Sequence, residues 1–333
     1  MYDRAMRRAM TAGDWTTLLI LAIIWSGSFL CYRILAPALA PETTVFLRLL
    51  IATLALLPFL GARARMLSGR SAWMSFAAMG ALNNVIPFML IAWAETRISA
   101  GLAAIINATT PMLGVIIAAA AREEPLRLNR AAGAFCGLAG VAVLLFPDIR
   151  AGLHGSATAQ VAVLAASLSY AVAGVYGRRY SAAGIDPLAA TFGQLCGAAA
   201  LSSLLVLRTP SDLAALAHLS ASGWAALAFL ALPATSFAYV LYFSLLARAG
   251  ATNALLVTLL VPVSAVVLAA LLLGERLNAT NVAGMAVILA GLLLIDGRVF
   301  AALARPLKLT TMQRLRRASA ERRNTSQASR VET

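Results

Sequence analysis

Charged side chains are too few to cover a water-exposed surface of this protein. Only 12% of its 333 residues are Asp, Glu, Lys or Arg, whereas 61% are hydrophobic. Ordinary soluble domains contain about 25% charged residues. The composition therefore excludes a soluble globular protein and predicts an exterior that is covered by lipid.

Cysteine and histidine are also scarce, and this argues against metal and catalytic chemistry. Cys31, Cys136 and Cys196 lie inside apolar runs, and the two histidines, His154 and His218, lie between such runs. Three thiols at lipid depth give neither a disulfide framework nor a zinc pattern. The sequence also lacks H-E-x-x-H, G-x-S-x-G and phosphate-cradling motifs. We therefore predict no metal, no cofactor and no enzyme, with an intramembrane enzyme as a remote alternative.

Acidic residues number only 13 against 27 basic ones, a net charge of +14. Nine of the basic residues lie between Arg298 and Arg330, and most others lie in short gaps between apolar runs. A nucleic-acid groove would interleave basic residues with exposed aromatic ones, and no such stripe is present. The excess charge instead fits the topology rule for membrane proteins, so no nucleic-acid partner is predicted.

Ten apolar runs separated by polar breaks predict ten transmembrane helices. A span needs about 20 apolar residues, and only helices or closed barrels satisfy the backbone in lipid. Because the runs are continuous rather than alternating, we expect helices and an all-α membrane protein. The predicted spans are Trp15–Leu35, Thr43–Leu60, Ala72–Trp93, Ala100–Ala121, Ala131–Phe146, Ala157–Tyr176, Pro187–Leu207, Gly223–Leu246, Ala251–Leu273 and Asn281–Ile295.

The first span resembles a signal peptide, because Arg4, Arg7 and Arg8 precede it and an Ala-Leu-Ala sequence follows at 38–40. Its apolar stretch is too long for a signal peptide, however, and Pro41 follows the cleavage-like site. We expect a retained helix. Twelve Arg residues then fall in the gaps on the side of the N-terminus and five on the other side, which predicts that both termini are cytoplasmic. The basic tail at 298–333 is expected to set topology or to rest on anionic lipid.

The two halves of the sequence repeat each other. A shift of 151 residues places Pro111 on Pro262, and it does the same for the pairs Glu124 and Glu275, Gly133 and Gly284, and Gly140 and Gly291. Residues 1–14 precede the first half, at 15–147, and the second half occupies 157–297. Each half holds five predicted spans, an odd number, so the second half is expected to be inverted in the membrane. Inverted repeats are typical of alternating-access carriers, which bind substrate near the midplane.

Several local motifs resemble the EamA domain. They are a Gly-Glu-Arg-type turn, present as Ala121-Arg122-Glu123-Glu124-Pro125-Leu126 and as Leu273-Gly274-Glu275-Arg276-Leu277, together with Trp25-Ser26-Gly27-Ser28-Phe29 and Arg48 within Val45-Phe46-Leu47-Arg48-Leu49-Leu50. The resemblance covers about residues 15–297 and implies the drug/metabolite transporter superfamily. It implies ten helices in two EamA repeats and a transport function, and it leaves the substrate open. Gln194 stands where Arg48 lies in the other half, so the halves are not equivalent.

Polar side chains at mid-membrane depth are the candidates for a substrate site, because hydrocarbon forces them to face a cavity or the bundle interior. Adjacent residues on a helix point about 100° apart, so only one of the two neighbouring asparagines is expected to face the cavity. The predicted substrate-binding residues are Trp25, Asn83, Asn84, Asn107, Tyr239 and Thr258.

Four charged residues have open roles, namely Arg48, well inside the second span, and three glutamates near span ends. Arg48 could hold a substrate carboxylate, pair with Glu42, or cap helix ends. Glu95, near the outer end of the third span, is a candidate proton site. Glu124 and Glu275 are expected to tie down loops or to cap the helix that follows each of them.

These features predict a carrier of the bacterial inner membrane that moves small metabolites by alternating access, with amino acids or related compounds as exported substrates. Its expected partners are a small-molecule substrate and membrane lipid. A non-transporting receptor or scaffold with a duplicated membrane fold is the main alternative. The sequence leaves open the substrate, the direction and energy coupling of transport, and the oligomeric state.

Overall fold

The computed structural model describes residues 10–122, 128–150, 156–207, 214–249 and 256–296, and all regular secondary structure in these ranges is helical. The basic tail at 298–333 and Glu124 lie outside them. Short 3₁₀ turns occupy Gly61–Leu67 and Leu216–His218. The helices are α1 Ala12–Leu35, α2 Pro41–Leu60, α3 Arg70–Gly80, α4 Ile86–Ala94, α5 Ala100–Asn107, α6 Thr110–Ala120, α7 Leu128–Arg150, α8 Ser156–Ala182, α9 Pro187–Val206, α10 Ala221–Ala231, α11 Ala238–Ala249, α12 Val257–Leu273 and α13 Ala279–Asp296.

The lengths of these helices confirm an all-helical membrane protein. Within the described residues, eight helical stretches are long and apolar enough to cross a membrane. Two shorter apolar helices, Val257–Leu273 and Ala279–Ile295, follow them near the end of the chain. The helices overlap the predicted runs, and several extend beyond them, as Leu128–Arg150 extends beyond the predicted Ala131–Phe146. The count of ten spans and the inverted orientation of the halves stay predictions.

Polar contacts identify the two ends of the helix bundle. At one end, Arg63 Nε lies 3.2 Å from Asp186 Oδ1 and joins the end of α2 to the start of α9. The start of α1 meets the end of α11 there, where Arg248 Nε lies 3.2 Å from Asp14 Oδ1. We call this the Arg63 end and the opposite one the Glu95 end. The charge pattern predicts that the Arg63 end is cytoplasmic.

Several helices begin at residues that fit their position well. Thr11 and Asp14 form a reciprocal capping box at the start of α1. The corresponding helices α2 and α9 both begin with proline, Pro41 and Pro187, whose missing N–H has no intrahelical partner at this position. Asp186 adds a side-chain cap to α9, accepting from the backbone N–H of Leu188 at 2.9 Å. These local signals fix where the spans begin.

The two halves of the chain are interleaved. Helix α1 packs against α12, α2 packs against α9 and the α10–α11 helix pair, and α4 packs against α8. In each of these contacts one helix comes from the first half and the other from the second. A cavity near the middle of the bundle is therefore lined by both halves.

The last helices of the two halves pack against each other through glycines. Helices α7 and α13 run antiparallel, with Gly133 next to Gly291 and Gly140 next to Gly284. A Cβ added at Gly133 would lie 2.6 Å from the carbonyl oxygen of Gly291, and one added at Gly291 would lie 2.6 Å from that of Gly133. Only glycine allows this close backbone approach, which is typical of helix packing in membranes.

Candidate functional site

Two long helices widen into π-helical turns at equivalent positions of the repeat. The first π segment, Ala81–Val85, separates α3 from α4, and the second, Leu232–Phe237, separates α10 from α11. Adding 151 to the first range gives residues 232–236. In each segment the residue that follows, Ile86 or Ala238, donates its N–H to the carbonyl five residues back. Such turns inside α-helices are frequent at functional sites.

Pro87 leaves a carbonyl of the first π segment without a backbone donor. Pro87 has no N–H to donate, so it cannot reach the carbonyl of Leu82, five residues back. The Ser169 hydroxyl of α8 donates to that carbonyl instead, at 2.6 Å. This bond satisfies a backbone group that would otherwise be exposed in the membrane interior, and it fixes the first π segment to the second half.

The second π segment uses its own hydroxyl groups to satisfy its backbone. The Thr235 hydroxyl donates to the carbonyl of Leu230 at 2.8 Å, and the Ser236 hydroxyl donates to that of Ala231 at 3.1 Å. Ser236 also lies 3.0 Å from the carbonyl of Ala52 in α2. The hydroxyl groups of Thr235 and Ser236 are therefore used in hydrogen bonds within the protein.

Asn83, Asn84, Gln194 and Tyr239 form a group that we call the amide cluster. Asn83 Nδ2 donates to Gln194 Oε1 at 3.3 Å and to the Tyr239 hydroxyl at 3.1 Å. The Tyr239 hydroxyl in turn donates to Asn84 Oδ1 at 3.3 Å. The cluster thus connects the first π segment to α9 and α11 of the second half. It brings together three of the six predicted substrate-binding residues.

Both neighbouring asparagines bond to the same hydroxyl, and both lie in the first π segment. Which of them faces the cavity stays a prediction. Among the described residues, the fully buried Asn84 has no hydrogen-bond partner for its Nδ2 group. A buried donor without a partner costs about 1–3 kcal/mol. It offers a hydrogen bond to a ligand or a water molecule.

Arg48 is a buried cation next to this cluster. Its Nη1 donates to the Tyr32 hydroxyl and its Nε to Thr235 Oγ1, both at 2.8 Å, and its guanidinium lies 3.8 Å from the centre of the Phe88 ring. Among the described residues no carboxylate pairs with Arg48, so the alternative of a pair with Glu42 was wrong. The positive charge is held by hydroxyls and an aromatic face and has no counter-ion.

The other predicted site residues lie in separate contacts. The Trp25 ring is tilted against Tyr242, with ring centres 5.6 Å apart. Asn107 ends α5, at a break before Pro111, and its Oδ1 accepts from the Ser167 hydroxyl at 3.4 Å. Thr258 is half-buried in the first turn of α12, at the position that corresponds to Asn107.

A cavity of about 210 Å³ lies toward the Arg63 end. Tyr239 is the member of the amide cluster that lines it. The lining residues are Arg63, Asp186, Pro187, Leu188, Thr191, Tyr239 and Val240. A second cavity, of about 260 Å³, lies at the Glu95 end beside Gly101 and Glu275.

Of the two roles expected for Glu275, tying down a loop is seen and capping of the following helix is not. Its carboxylate accepts from the backbone N–H of Ala100 at 3.0 Å and from that of Gly101 at 3.1 Å. It therefore caps α5, in the other half, and not the helix that follows it. Asn278 caps that helix, accepting from the N–H of Asn281 at 2.8 Å. A contact between halves could not be predicted from local spacing.

Sequence reasoning missed two contributors to the site, Tyr32 and Ser169. Both lie inside predicted spans, in α1 and α8. Their place there was an available signal, since polar atoms in a membrane interior need partners. Neither partner could be identified, because Arg48 and the freed carbonyl of Leu82 lie on other helices.

A buried polar site between two interleaved helical halves is what a membrane transport protein needs. The chain matches the EamA-like transporter family twice, over residues 15–146 and 157–296. These two matches cover most of the sequence. The chain belongs to the EamA-like transporter family, and the predicted family resemblance is confirmed.

Individual relatives agree with this family. The chain is 26% identical over 294 residues to a protein named "Probable amino-acid metabolite efflux pump" from Salmonella typhimurium, covering 85% of this chain and 94% of that one. It is 26% identical over 283 residues to the uncharacterized inner membrane transporter YedA of Escherichia coli K12, covering 84% and 89%. A chloroplastic WAT1-related protein of Arabidopsis thaliana is 26% identical over 294 residues, covering 85% and 69%.

The fold also occurs in a solved structure. A crystal structure of a protein of 21% sequence identity superimposes with a TM-score of 0.58, covering 90% of this chain and 99% of the other. This likeness concerns the arrangement of the helices. Membership of the family describes a membrane protein that transports small metabolites.

Proposed function

We propose that this protein is an alternating-access carrier of the bacterial inner membrane that exports amino acids or related small metabolites. The observation that carries the proposal is the amide cluster. It joins Asn83 and Asn84 of the first half to Gln194 and Tyr239 of the second half, at one of two equivalent π segments. Carriers built from inverted repeats bind substrate between their halves at such helix interruptions.

The charges near the cluster support a zwitterionic substrate. Thr235 holds the Arg48 guanidinium and lies one helical turn before Tyr239, so a fixed positive charge lies near the amides. Guanidinium groups recognise carboxylates well. The amides supply donors and acceptors for an amino group or a second polar group, and Trp25 and Tyr242 supply an aromatic face. Compact amino acids with apolar or aromatic side chains fit this set.

The hydroxyl of Tyr239 provides the sharpest test of the site. Tyr239→Phe keeps the ring and removes the bonds to both asparagines. We expect initial transport rates to fall about two- to tenfold, as one or two lost hydrogen bonds of about 0.5–1.5 kcal/mol predict. Tyr180→Phe is the matched control, because the Tyr180 hydroxyl donates to the Ser75 carbonyl at 2.8 Å, outside the cluster. Equal rates for the two variants at equal expression would place the site elsewhere.

Transport itself is tested by counterflow. Proteoliposomes loaded with an unlabelled amino-acid mixture should accumulate labelled external amino acid when the carrier is present. A receptor or scaffold would bind ligand without exchanging it across the bilayer. Exchange that is restricted to quaternary or polycationic drugs would contradict the amino-acid proposal while leaving a transport function in place.

The predicted topology can be checked separately. Single cysteines introduced at Ser68 and Ser156, in a variant without Cys31, Cys136 and Cys196, should react with an impermeant maleimide from opposite sides. Ser68 is expected to face the cytoplasm and Ser156 the outside. Reaction of both positions from one side would rule out the inverted arrangement of the halves.

A further inference from the structure

Glu95 is a buried acid that the transport site does not use. It begins the turn between α4 and α5, and its side chain is fully buried. Neither carboxylate oxygen has a hydrogen-bond partner. A buried carboxylate without bonds or a counter-ion costs several kcal/mol, and such a group normally takes up a proton instead.

Among the groups around Glu95, Arg33 favours a negative charge, but burial and Glu275 oppose it more strongly. Arg33, at the end of α1, donates from Nη1 to the backbone carbonyl of Glu95 at 2.8 Å and not to its carboxylate. The carboxylate of Glu275, which caps α5 in the same region, is a like charge. Burial raises the pKa of the Glu95 carboxyl well above its usual range, Glu275 raises it further, and Arg33 partly offsets both.

The remaining ionisable groups on neighbouring helices do not change this balance. Helix α1 presents Cys31 and Tyr32 on this side, both uncharged at neutral pH. Helix α2 begins with Pro41-Glu42, another acid, and its Arg48 is bonded to Tyr32 and Thr235. Helix α5, and α8 in its part at the Glu95 end, carry no charged residue. A neutral carboxylic acid fits these surroundings.

The turn that Glu95 begins is held by two separate helix ends. Arg33 fixes its first residue to α1, and Glu275, beyond α12 of the second half, fixes its far side at Ala100 and Gly101. Both halves therefore meet at this turn. Separation of these contacts would open the Glu95 end and would expose Glu95 to water.

We propose that Glu95 is a proton-binding site of the closed Glu95 end, protonated in the arrangement described here and releasing its proton to water when α1, α5 and α12 separate. Reclosure takes a proton up again from the same side. The inference rests on the carrier function proposed above, because it assigns an opening step to this end. It makes that opening step dependent on pH.

The sign of the pH effect follows from the two states. In the open state the hydrated Glu95 carboxyl titrates near the ordinary value of about 4.3. In the closed state the carboxyl stays protonated to higher pH, so acid favours closure and rising pH favours opening. Between the two pKa values the open-to-closed ratio increases by at most about tenfold per pH unit.

The protonation state can be measured without a substrate. The infrared difference spectrum between the purified wild-type protein and its Glu95→Gln variant, recorded at about pH 7, should contain a protonated carboxyl band that shifts in D₂O. The Glu275→Gln variant is the matched control and should remove an ionised carboxylate band. A carboxylate band for Glu95, in protein that is folded by circular dichroism, would overturn the proposal.

Opening is measured with a buried cysteine. Ala103 is fully buried near the start of α5, and Ala103→Cys in the cysteine-free background should react faster with an impermeant maleimide as pH rises from about 6 to about 8, both above the ordinary glutamate pKa. The reaction rate at Ala103→Cys should depend on pH more strongly than the rate at the exposed control Thr96→Cys. Adding Glu95→Gln should remove this excess pH dependence. The same dependence with and without Glu95 would overturn the proposal. Transport failure alone would leave both readouts intact, so the two proposals fail separately.

Discussion

The two π segments have the same place in the repeat and opposite chemistry. In the first, the polar residues are amides, Asn83 and Asn84, and both reach across to Tyr239 of the other half. In the second, the residues at 234–236 include the hydroxyls of Thr235 and Ser236, which bond to carbonyls five residues back in their own helix. Thr235 occupies the position that corresponds to Asn84 when 151 is added.

This difference shows how a duplicated scaffold can serve an asymmetric substrate. A short hydroxyl side chain can bond to the backbone carbonyl that a π turn leaves unpaired in its own helix. A longer amide side chain extends away from that carbonyl toward other helices. In the first half, Ser169 of α8 therefore satisfies the unpaired carbonyl of Leu82, and the amides remain available for other contacts. The second π segment satisfies its own carbonyls, and the second half supplies Tyr239 and also Thr235, to which Arg48 is bonded.

Arg48 provides the largest expected effect. Arg48→Gln should keep the fold and weaken transport of carboxylate-bearing amino acids about tenfold or more, because a hydrogen bond to a charged group contributes about 1.5–3 kcal/mol. Arg65→Gln, at an exposed position, is the control. Saturation kinetics with an amino acid and with its decarboxylated analogue measure the effect. If both substrates lost affinity equally, Arg48 would act only as a structural link between Tyr32 and Thr235.

The glycine contact between α7 and α13 should respond alike in both halves, unlike the π segments. Gly133→Ala and Gly291→Ala each place a methyl group 2.6 Å from a backbone oxygen. We expect each to lower the free energy of unfolding by about 1–3 kcal/mol. Gly174→Ala, whose added Cβ meets nothing within 4 Å, should be neutral or stabilising. Thermal unfolding in detergent gives the comparison. A clear difference between Gly133→Ala and Gly291→Ala would show that one of the two helices shifts to accommodate the added methyl group.

Ser169→Ala should leave the carbonyl of Leu82 without a donor and destabilise the protein by about 1–3 kcal/mol. The exposed Ser203, whose hydroxyl bonds the carbonyl of Ala200 in its own helix, is a control of the same residue type. Ser203→Ala is expected to change stability by less than about 0.5 kcal/mol. Equal stability of the two variants would mean that another group satisfies Leu82.

The smallest effects separate the two π segments directly. Asn84→Ala should lower transport several-fold with little loss of stability, because removal of the unpaired Nδ2 donor offsets the lost bond from Tyr239 to Oδ1. Ser236→Ala should lower stability by about 0.5–1.5 kcal/mol, because it removes the bonds to the carbonyls of Ala231 and Ala52. Initial rates and unfolding midpoints of both variants test this division. The opposite assignment of effects would show that the second segment carries the recognition groups.

The sequence predicted what depends on composition and local pattern. Apolar runs of sufficient length predicted the helices, and Pro41 and Pro187 marked two of their starts. The site was predicted in part, because polar residues in lipid must converge somewhere and Asn83, Asn84 and Tyr239 do so. Their partners depend on packing between helices that are 111 to 156 residues apart in the chain, and no local pattern reports such packing.

The errors share one physical cause. Pairing Arg48 with Glu42, or assigning Glu275 to the following helix, assumed that charges find their nearest neighbours in sequence. In this fold they contact elements of the opposite half, because the halves are interleaved.

The glycine contact has one further consequence, for the way in which the bundle can be assembled. Adding 151 turns Gly133 into Gly284 and Gly140 into Gly291, yet Gly133 touches Gly291 and Gly140 touches Gly284. The pattern is that of an isologous interface, in which one surface meets its own equivalent across a two-fold axis. The glycine surface on the last helix of each half is thus self-complementary. Two copies of a single half, one upright and one turned over, would already possess matching surfaces for pairing before any linker joined them.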